Sequence, residues 1–285
     1  MRYEKKQDGG ARLARKAISL ILSFLLFIFS CVIALLCCVY LNIFDPQSMA
    51  GSLSSSGYFA SAKDQFETNA WDISIPLGVP QSVVQELVSE EKVTADIKDS
   101  LKAAVDNTEF TADTKGITSE LDKRVKDYFT ELSDEQLSVL EDYKEAIAAE
   151  YVKLTTIPLV KYIGSVKNAY SEIFLFIVTA CAVLLIADVI FLMKLHRYRH
   201  RALRYVSYAA IASALGMAVV PFIGFVTGFY KKFNITPGYF KGFVTAYVED
   251  ILIYMLLCAA FFALAAFLLI TGTVVARRKL LRHKG

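Results

Sequence analysis

Four uninterrupted apolar runs constrain this chain more than any other feature. They are 17–41, "AISLILSFLLFIFSCVIALLCCVYL"; 173–193, "IFLFIVTACAVLLIADVIFLM"; 206–230, containing "AAIASALGMAVVPFIGFVTGF"; and 251–276, "ILIYMLLCAAFFALAAFLLITGTVVA". Each reaches the roughly 18–20 residues a helix needs to cross a ~30 Å hydrocarbon core. Lipid offers the backbone no hydrogen-bond partner, so each span has to be helical. The hydrophobic share of 55% exceeds the roughly 45–50% of a soluble domain, and the surplus lies in these runs. The first run is longer than the ~7–15-residue apolar region of a cleaved signal, and no small-residue cleavage site follows promptly. It reads as an uncleaved anchor.

Lys and Arg beside the spans set the expected orientation. Residues 1–16 carry Arg2, Lys5, Lys6, Arg12, Arg15 and Lys16. Residues 194–205 carry Lys194, Arg197, Arg199, Arg201 and Arg204. Residues 277–285 carry Arg277, Arg278, Lys279, Arg282 and Lys284. With four spans these three basic segments fall on one side, expected to be the cytoplasm, where they meet anionic headgroups. The short loop expected outside, 231–250, has only Lys231, Lys232 and Lys241. Residues 45–172 then lie outside as well. They hold 23 Asp and Glu against 12 Lys and Arg, a net charge of −11 that the whole-chain value of +3 hides. No basic patch interleaved with aromatics lies on a soluble face, so nucleic acid is not expected as a partner. All five cysteines (Cys31, Cys37, Cys38, Cys181, Cys258) lie in spans. An external domain without disulfides fits a bacterial cell membrane better than an animal cell surface.

Residues 45–172 read as helices joined by turns. Tyr58, Phe59, Ala62 and Phe66 recur at helical spacing, and Pro80 suits the first turn of a helix with Val83, Val84, Leu87 and Val88 on one face. Val93, Ile97, Leu101 and Val105 mark another, and Ile117, Leu121, Val125 and Phe129 a third. Ser133–Gln136, "SDEQ", is a capping box opening a longer helix with Leu137, Leu140, Ile147, Tyr151 and Leu154, which Pro158 should interrupt. Strand alternation is nearly absent. The fold class expected is all-α: four transmembrane helices plus an all-helical extracytoplasmic domain between spans one and two.

The stretch "SGYFASAKDQF…IPLGVPQSVVQELVSEEKVTADIKDSL", from Ser56 to Leu101, resembles uncharacterised multi-pass membrane proteins of Gram-positive bacteria. In these, a first span is followed by an aromatic-rich helix, a G-[LV]-P turn and a V-rich helix. The turn here is Gly78-Val79-Pro80. The resemblance implies an external helical module on a multi-pass anchor, and no activity or site residue.

No P-loop, G-x-S-x-G, H-E-x-x-H or C-x-x-C motif occurs, which argues against ATP hydrolysis, a hydrolase elbow and common zinc sites. Ser89-Glu90-Glu91-Lys92 matches S-x-x-K, but S-D-N and K-T-G are missing, so a helix cap is the better reading. His196 and His200 stand four apart and would share a helix face, yet five Lys and Arg around them disfavour a cation. The external carboxylates lack a D-x-[DN]-x-[DN]-G loop and read as solvated faces. Neither a metal nor another cofactor is expected.

Two features inside the spans stand out. Gly216, Pro221, Gly224 and Gly228 form a small-residue face with a proline in the third run, suited to packing against the chain's own helices or another copy. Asp188 is the only charge well inside a span, six residues before Lys194, about 9 Å along a helix. An intramembrane carboxylate is costly and should face the bundle interior. Ser19, Ser207, Tyr208, Thr271 and Thr273 lie at similar depth and are its expected polar partners, together with Arg15 or Arg277.

The expected function is non-enzymatic: a multi-pass membrane protein presenting an external helical domain to an envelope protein, a ligand or another copy of itself. The alternative is a transporter or channel subunit with Asp188 as its intramembrane polar site. A sensor would need a separate output partner, because the basic tails are too short for one, and an enzyme would need scattered catalytic residues.

Overall fold

The computed structural model describes residues 2–129, 134–156, 162–196, 198–236 and 238–282, and among these it is all-helical. The order is α1 (Arg2–Ile43), α2 (Pro46–Ser55), α3 (Tyr58–Ser74), a 3₁₀ turn (Ile75–Leu77), α4 (Gln81–Val84), α5 (Glu90–Val105), α6 (Lys115–Tyr128), α7 (Asp134–Thr155), α8 (Ile163–Leu195), α9 (Arg199–Thr227), a 3₁₀ turn (Phe229–Lys232) and α10 (Gly238–Arg282). Four stretches are long and apolar enough to cross a membrane: Leu13–Ile43, Ile163–Leu195, His200–Thr227 and Gly238–Val275. The chain divides into two compact units. One comprises residues 1–41, 170–232 and 249–285; the other comprises 42–169 and 233–248.

The second unit is a helical domain built around α3, which packs on α2, α4, α5 and α7. Asp45 starts α2 by accepting hydrogen bonds from the Gln47 and Ser48 amides at 3.2 and 3.1 Å, the usual service of an Asp N-cap. Gly57, at φ 68°, allows the reversal into α3. Tyr58, Phe59, Ala62, Phe66 and Ala70 are then buried along one stripe of α3. Ile97 and Leu101 of α5, Leu121 of α6, and Ile147 and Tyr151 of α7 complete the centre. The Phe66 and Tyr151 rings meet edge to face at 5.5 Å, and the Tyr151 hydroxyl donates to Asp96 at 2.5 Å.

The helix expected from Pro80 through Val88 is much shorter. α4 ends at Val84, Gln85 is extended, and Glu86 adopts a left-handed φ of 53°. Val83, Val84, Leu87 and Val88 are all buried nonetheless. The sharp turn is held from a distance. Arg124 Nη1 donates to the Gln85 carbonyl at 2.8 Å and the Val83 carbonyl at 3.4 Å, and Nη2 to the Glu86 carbonyl at 3.4 Å. The Glu86 amide donates to Glu67 at 3.0 Å. Hydrogen bonds from a charged donor are each worth about 1.5–3 kcal/mol, and a lysine cannot reproduce the guanidinium fork. Arg124→Ala and Arg124→Lys should therefore both destabilise this unit by about 1.5–3 kcal/mol. Chemical denaturation followed by Trp71 fluorescence checks this, and a lysine variant as stable as wild type would contradict it.

Residues 238–250, within the expected external loop 231–250, are helical and open α10. Tyr239 and Phe243 pack edge to face on Tyr58 at 5.2 and 6.2 Å, and the Tyr247 hydroxyl donates to the Asn42 carbonyl at 3.2 Å. The aromatics at 239, 243 and 247 form a helical stripe, and this stripe belongs to the domain core. Ser133, which would cap α7 in the expected capping box, and Pro158 fall outside the described residues, as do the side chains of 134–136.

The first unit contains the apolar helices. Leu26, Leu192, Ala202 and Ala209 form one buried cluster, and Cys38, Met217, Met255 and Ala259 another. Polar ties join α1 to its neighbours: Ser23 donates to the Tyr205 carbonyl at 2.8 Å, and Tyr170 to the Leu36 carbonyl at 2.9 Å. α8 ends at Leu195 and α9 starts at Arg199, before the expected 206, so much of the basic stretch 194–205 is helix end.

Of the small residues on α9, Gly216 lies against Phe27, where a Cβ would stand 3.1 Å from its ring, and Gly224 lies against Leu252, where it would stand 2.8 Å from a methyl. Gly228 does something other than pack. It ends α9 in the left-handed conformation, φ 56°, donating to the Gly224 carbonyl, and a Cβ there would meet nothing within 4 Å. α9 continues through the buried Pro221.

Candidate functional site

Asp188 does not gather the expected polar partners. Its Oδ2 is buried and accepts no hydrogen bond among the described residues. The hydroxyls at similar depth are satisfied by their own helices. Ser207 donates to the Leu203 carbonyl at 2.9 Å, Thr271 to Phe267 and Leu268 at 3.1 and 2.9 Å, and Thr273 to Ile270 at 2.7 Å. Back-bonding to the i−3 or i−4 carbonyl is always within reach of a helical Ser or Thr, and it removes the donor that Asp188 needed. Arg277 lies outside the residues whose side chains are described.

Several of the same residues converge elsewhere, around His196. Ser19 donates to the Arg15 carbonyl at 2.7 Å and sits 2.9 Å from His196 Nε2. The hydroxyl proton is committed to the carbonyl, so Nε2 is the protonated nitrogen that donates to Ser19, and Nδ1 is left as an acceptor in the neutral ring. The imidazole stacks on Tyr205 at 5.3 Å and 8°. Its position in the turn before α9, rather than on the helix, separates it from His200, which stacks on Tyr198 at 5.6 Å. The two histidines therefore do not present one helix face to a metal. Among the described residues, no three His, Cys, Asp or Glu side chains come together as a metal-binding group.

Beside His196 lies a cavity of about 800 Å³. Arg15 and Lys16 of α1 and Arg201 and Arg204 of α9 supply its charge, and among the described residues no carboxylate lines it. Ser207, Tyr208 and Thr273, expected around Asp188, line this cavity instead. Lys16, Arg201 and Arg204 form no ion pair among the described residues. The site thus carries concentrated positive charge with little internal neutralisation. Burial of the ring, then the charges of Arg201, Arg15 and Arg204, hold His196 below the ordinary histidine value of 6.5.

That direction fixes a pH dependence. A histidine whose folded value is depressed favours the fold fully above its unfolded value, and the advantage is lost as pH falls through that value. Thermal stability of the first unit in lipid-free neutral detergent should thus be flat above about pH 6.5 and decline below it. His196→Gln, which keeps an N–H for Ser19, should flatten the profile. An unchanged slope in that variant would show that another group is responsible.

The Ser19–His196 tie has no direct sign in the sequence, because its two halves, one on α1 and one just after α8, lie 177 residues apart. The aromatic-basic stretch "RYRHRALRY" at 197–205 was the legible signal. Comparison of the chain with protein-family models, with curated proteins and with solved structures yields no match.

In the helical domain, the Ser89-x-x-Lys92 match resolves as a cap. Ser89 accepts from the Lys92 amide at 3.2 Å, and Lys92 Nζ pairs with Asp96 at 3.2 Å, facing the Tyr151 ring. Neither group is placed as a nucleophile and base would be.

Proposed function

We propose that this chain is a non-enzymatic, multi-pass protein of a bacterial cell membrane. Both termini face the cytoplasm, and the helical domain faces outside as a binding platform for an envelope protein, a ligand or a second copy. The observation that carries this reading is a domain with its own buried core in a segment of net −11, while Lys and Arg gather in the three segments expected on the other side. The positive-inside rule translates that asymmetry into orientation.

Sidedness is testable directly. In a variant lacking the five native cysteines, a single cysteine replaces Asp8, Glu109 or Lys284. A membrane-impermeant thiol reagent should label the Glu109→Cys protein in intact cells, and the other two only after permeabilisation. Labelling of Asp8→Cys or Lys284→Cys in intact cells would reverse the assignment. Affinity purification from native membrane, followed by mass spectrometry, should then recover an envelope protein or a second copy bound through the helical domain.

A second reading draws on the orphaned Asp188 carboxylate. Unpaired ionisable groups inside membranes mark ion or proton pathways, so a transporter or channel subunit using Asp188 is the alternative. Solute flux in proteoliposomes that disappears in Asp188→Asn, with folding intact, would favour it over the binding platform.

A further inference from the structure

We propose that the four-helix unit holds one anionic phospholipid, its phosphate in the basic cavity and an acyl chain in an adjoining apolar groove. The inference rests on α1 and α9 lying in a bilayer. It needs neither the orientation nor the binding role proposed for the helical domain.

Diffuse attraction between basic segments and a membrane surface requires no cavity. Here the cations line one. A volume of about 800 Å³ lies within the usual range of a small-molecule site, roughly 300–1,000 Å³. Two guanidinium groups, Arg201 and Arg204, are suited to the oxygens of a phosphodiester, which they meet as planar forks, while Lys16 adds a point charge. Among the described residues, the cavity walls supply no carboxylate. An incoming anion would also meet His196, whose ring is disfavoured from charging by burial first and then by the surrounding cations.

The second half of the site separates a lipid from a soluble phosphate. Tyr208 is a wall shared with a groove of about 510 Å³. Leu20, Ile21, Phe24 and Phe27 of α1 line one side of that groove, and Ala209 and Ala212 of α9 line the other. The two alanines leave the room. A headgroup-sized basic cavity that shares Tyr208 with an apolar groove matches a molecule that is anionic at one end and hydrocarbon at the other. A soluble phosphate ester would leave the groove unused.

The test uses the full chain, purified in a neutral detergent and titrated with dioleoyl phosphatidylglycerol, with dioleoyl phosphatidylcholine, and with glycerol 3-phosphate as the headgroup alone. Native mass spectrometry counts bound molecules. One phosphatidylglycerol should bind per chain, at least tenfold more tightly than phosphatidylcholine. Arg201→Gln/Arg204→Gln should weaken it at least tenfold and Lys16→Gln severalfold. Ala212→Phe, which fills the groove, should weaken the lipid severalfold and leave glycerol 3-phosphate unaffected. In wild type, phosphatidylglycerol should also raise the pH at which the His196 ring titrates by NMR. Equal binding of the two lipids would overturn the proposal, as would full retention of phosphatidylglycerol by the double variant. Glycerol 3-phosphate binding as tightly as the lipid, with Ala212→Phe silent, would make this a soluble-phosphate site and overturn the lipid assignment. If the double variant fails to fold, Lys16→Gln and Ala212→Phe decide, and unaltered lipid binding in both refutes the site.

Discussion

Phe66→Ala should destabilise the helical domain by about 3–5 kcal/mol, the usual cost of emptying a buried Phe site. Phe66 is completely buried. Its neighbours one turn away on the same stripe of α3, Ala62 and Ala70, are also fully buried and too small to move into the space. The ring's edge-to-face partner, Tyr151, is fixed through its hydroxyl to Asp96, which is itself paired with Lys92. A partner tied at its far end cannot swing in to close the cavity, so the cost should lie toward the upper end of the range. The chain has a single tryptophan, Trp71, partly buried against this core. Its fluorescence reports on the domain selectively, and the thermal midpoint should drop by on the order of 10 °C. Val152→Ala, on the exposed side of α7, should change stability by no more than about 0.5 kcal/mol. Equal effects from the two substitutions would mean that α3 is not the centre of the fold.

The core position of Phe66 was readable in advance, as were those of Ile97 and Leu121, because each helix carries one apolar stripe and meets one core. Where the reading failed, the missing information was long-range. Val83, Val84, Leu87 and Val88 fit a helical face, but they fit a tight turn equally well when Arg124, 38 to 41 residues away, can satisfy the freed carbonyls. Residues 238–250 looked like a loop because Lys241, Glu249 and Asp250 lower their hydropathy, although Tyr239, Phe243 and Tyr247 share a helical face. Depth along a span could be estimated for Asp188 and the hydroxyls around it. Depth says nothing about which face each side chain occupies, and it ignores the carbonyl that every helical Ser or Thr has within reach. The basic cavity is half legible: its charges stand in the sequence, but a cavity arises from helix spacing, which no single helix encodes.

Asp188→Leu should raise the stability of the four-helix unit by about 3 kcal/mol. On insertion scales an Asp at the centre of a span costs about 2.5–3.5 kcal/mol, whereas a Leu gains about 0.3–0.6 kcal/mol; the position of Asp188 toward one end of the span reduces the first figure, and burial of its unpaired Oδ2 restores part of it. Geometry favours the substitution. Leu185 and Leu192 lie three residues before and four after Asp188, on the same helix face. Leu192 is fully buried, and Leu185 packs on the same cluster, so the new side chain joins an existing apolar surface. Asp188→Asn should gain less, because the amide is still polar and still lacks a partner. All five cysteines lie in the apolar runs, so a dye that fluoresces on reacting with thiols follows melting of this unit, while Trp71 follows the helical domain. Asp188→Leu should raise the dye midpoint and leave the Trp71 transition where it was. A lowered dye midpoint would mean that the carboxylate is satisfied in the membrane by something outside this chain, such as a cation or a second copy, and would make Asp188 the residue to pursue in a flux assay. A raised midpoint with flux or partner capture lost would place Asp188 among residues retained for function at a cost in stability.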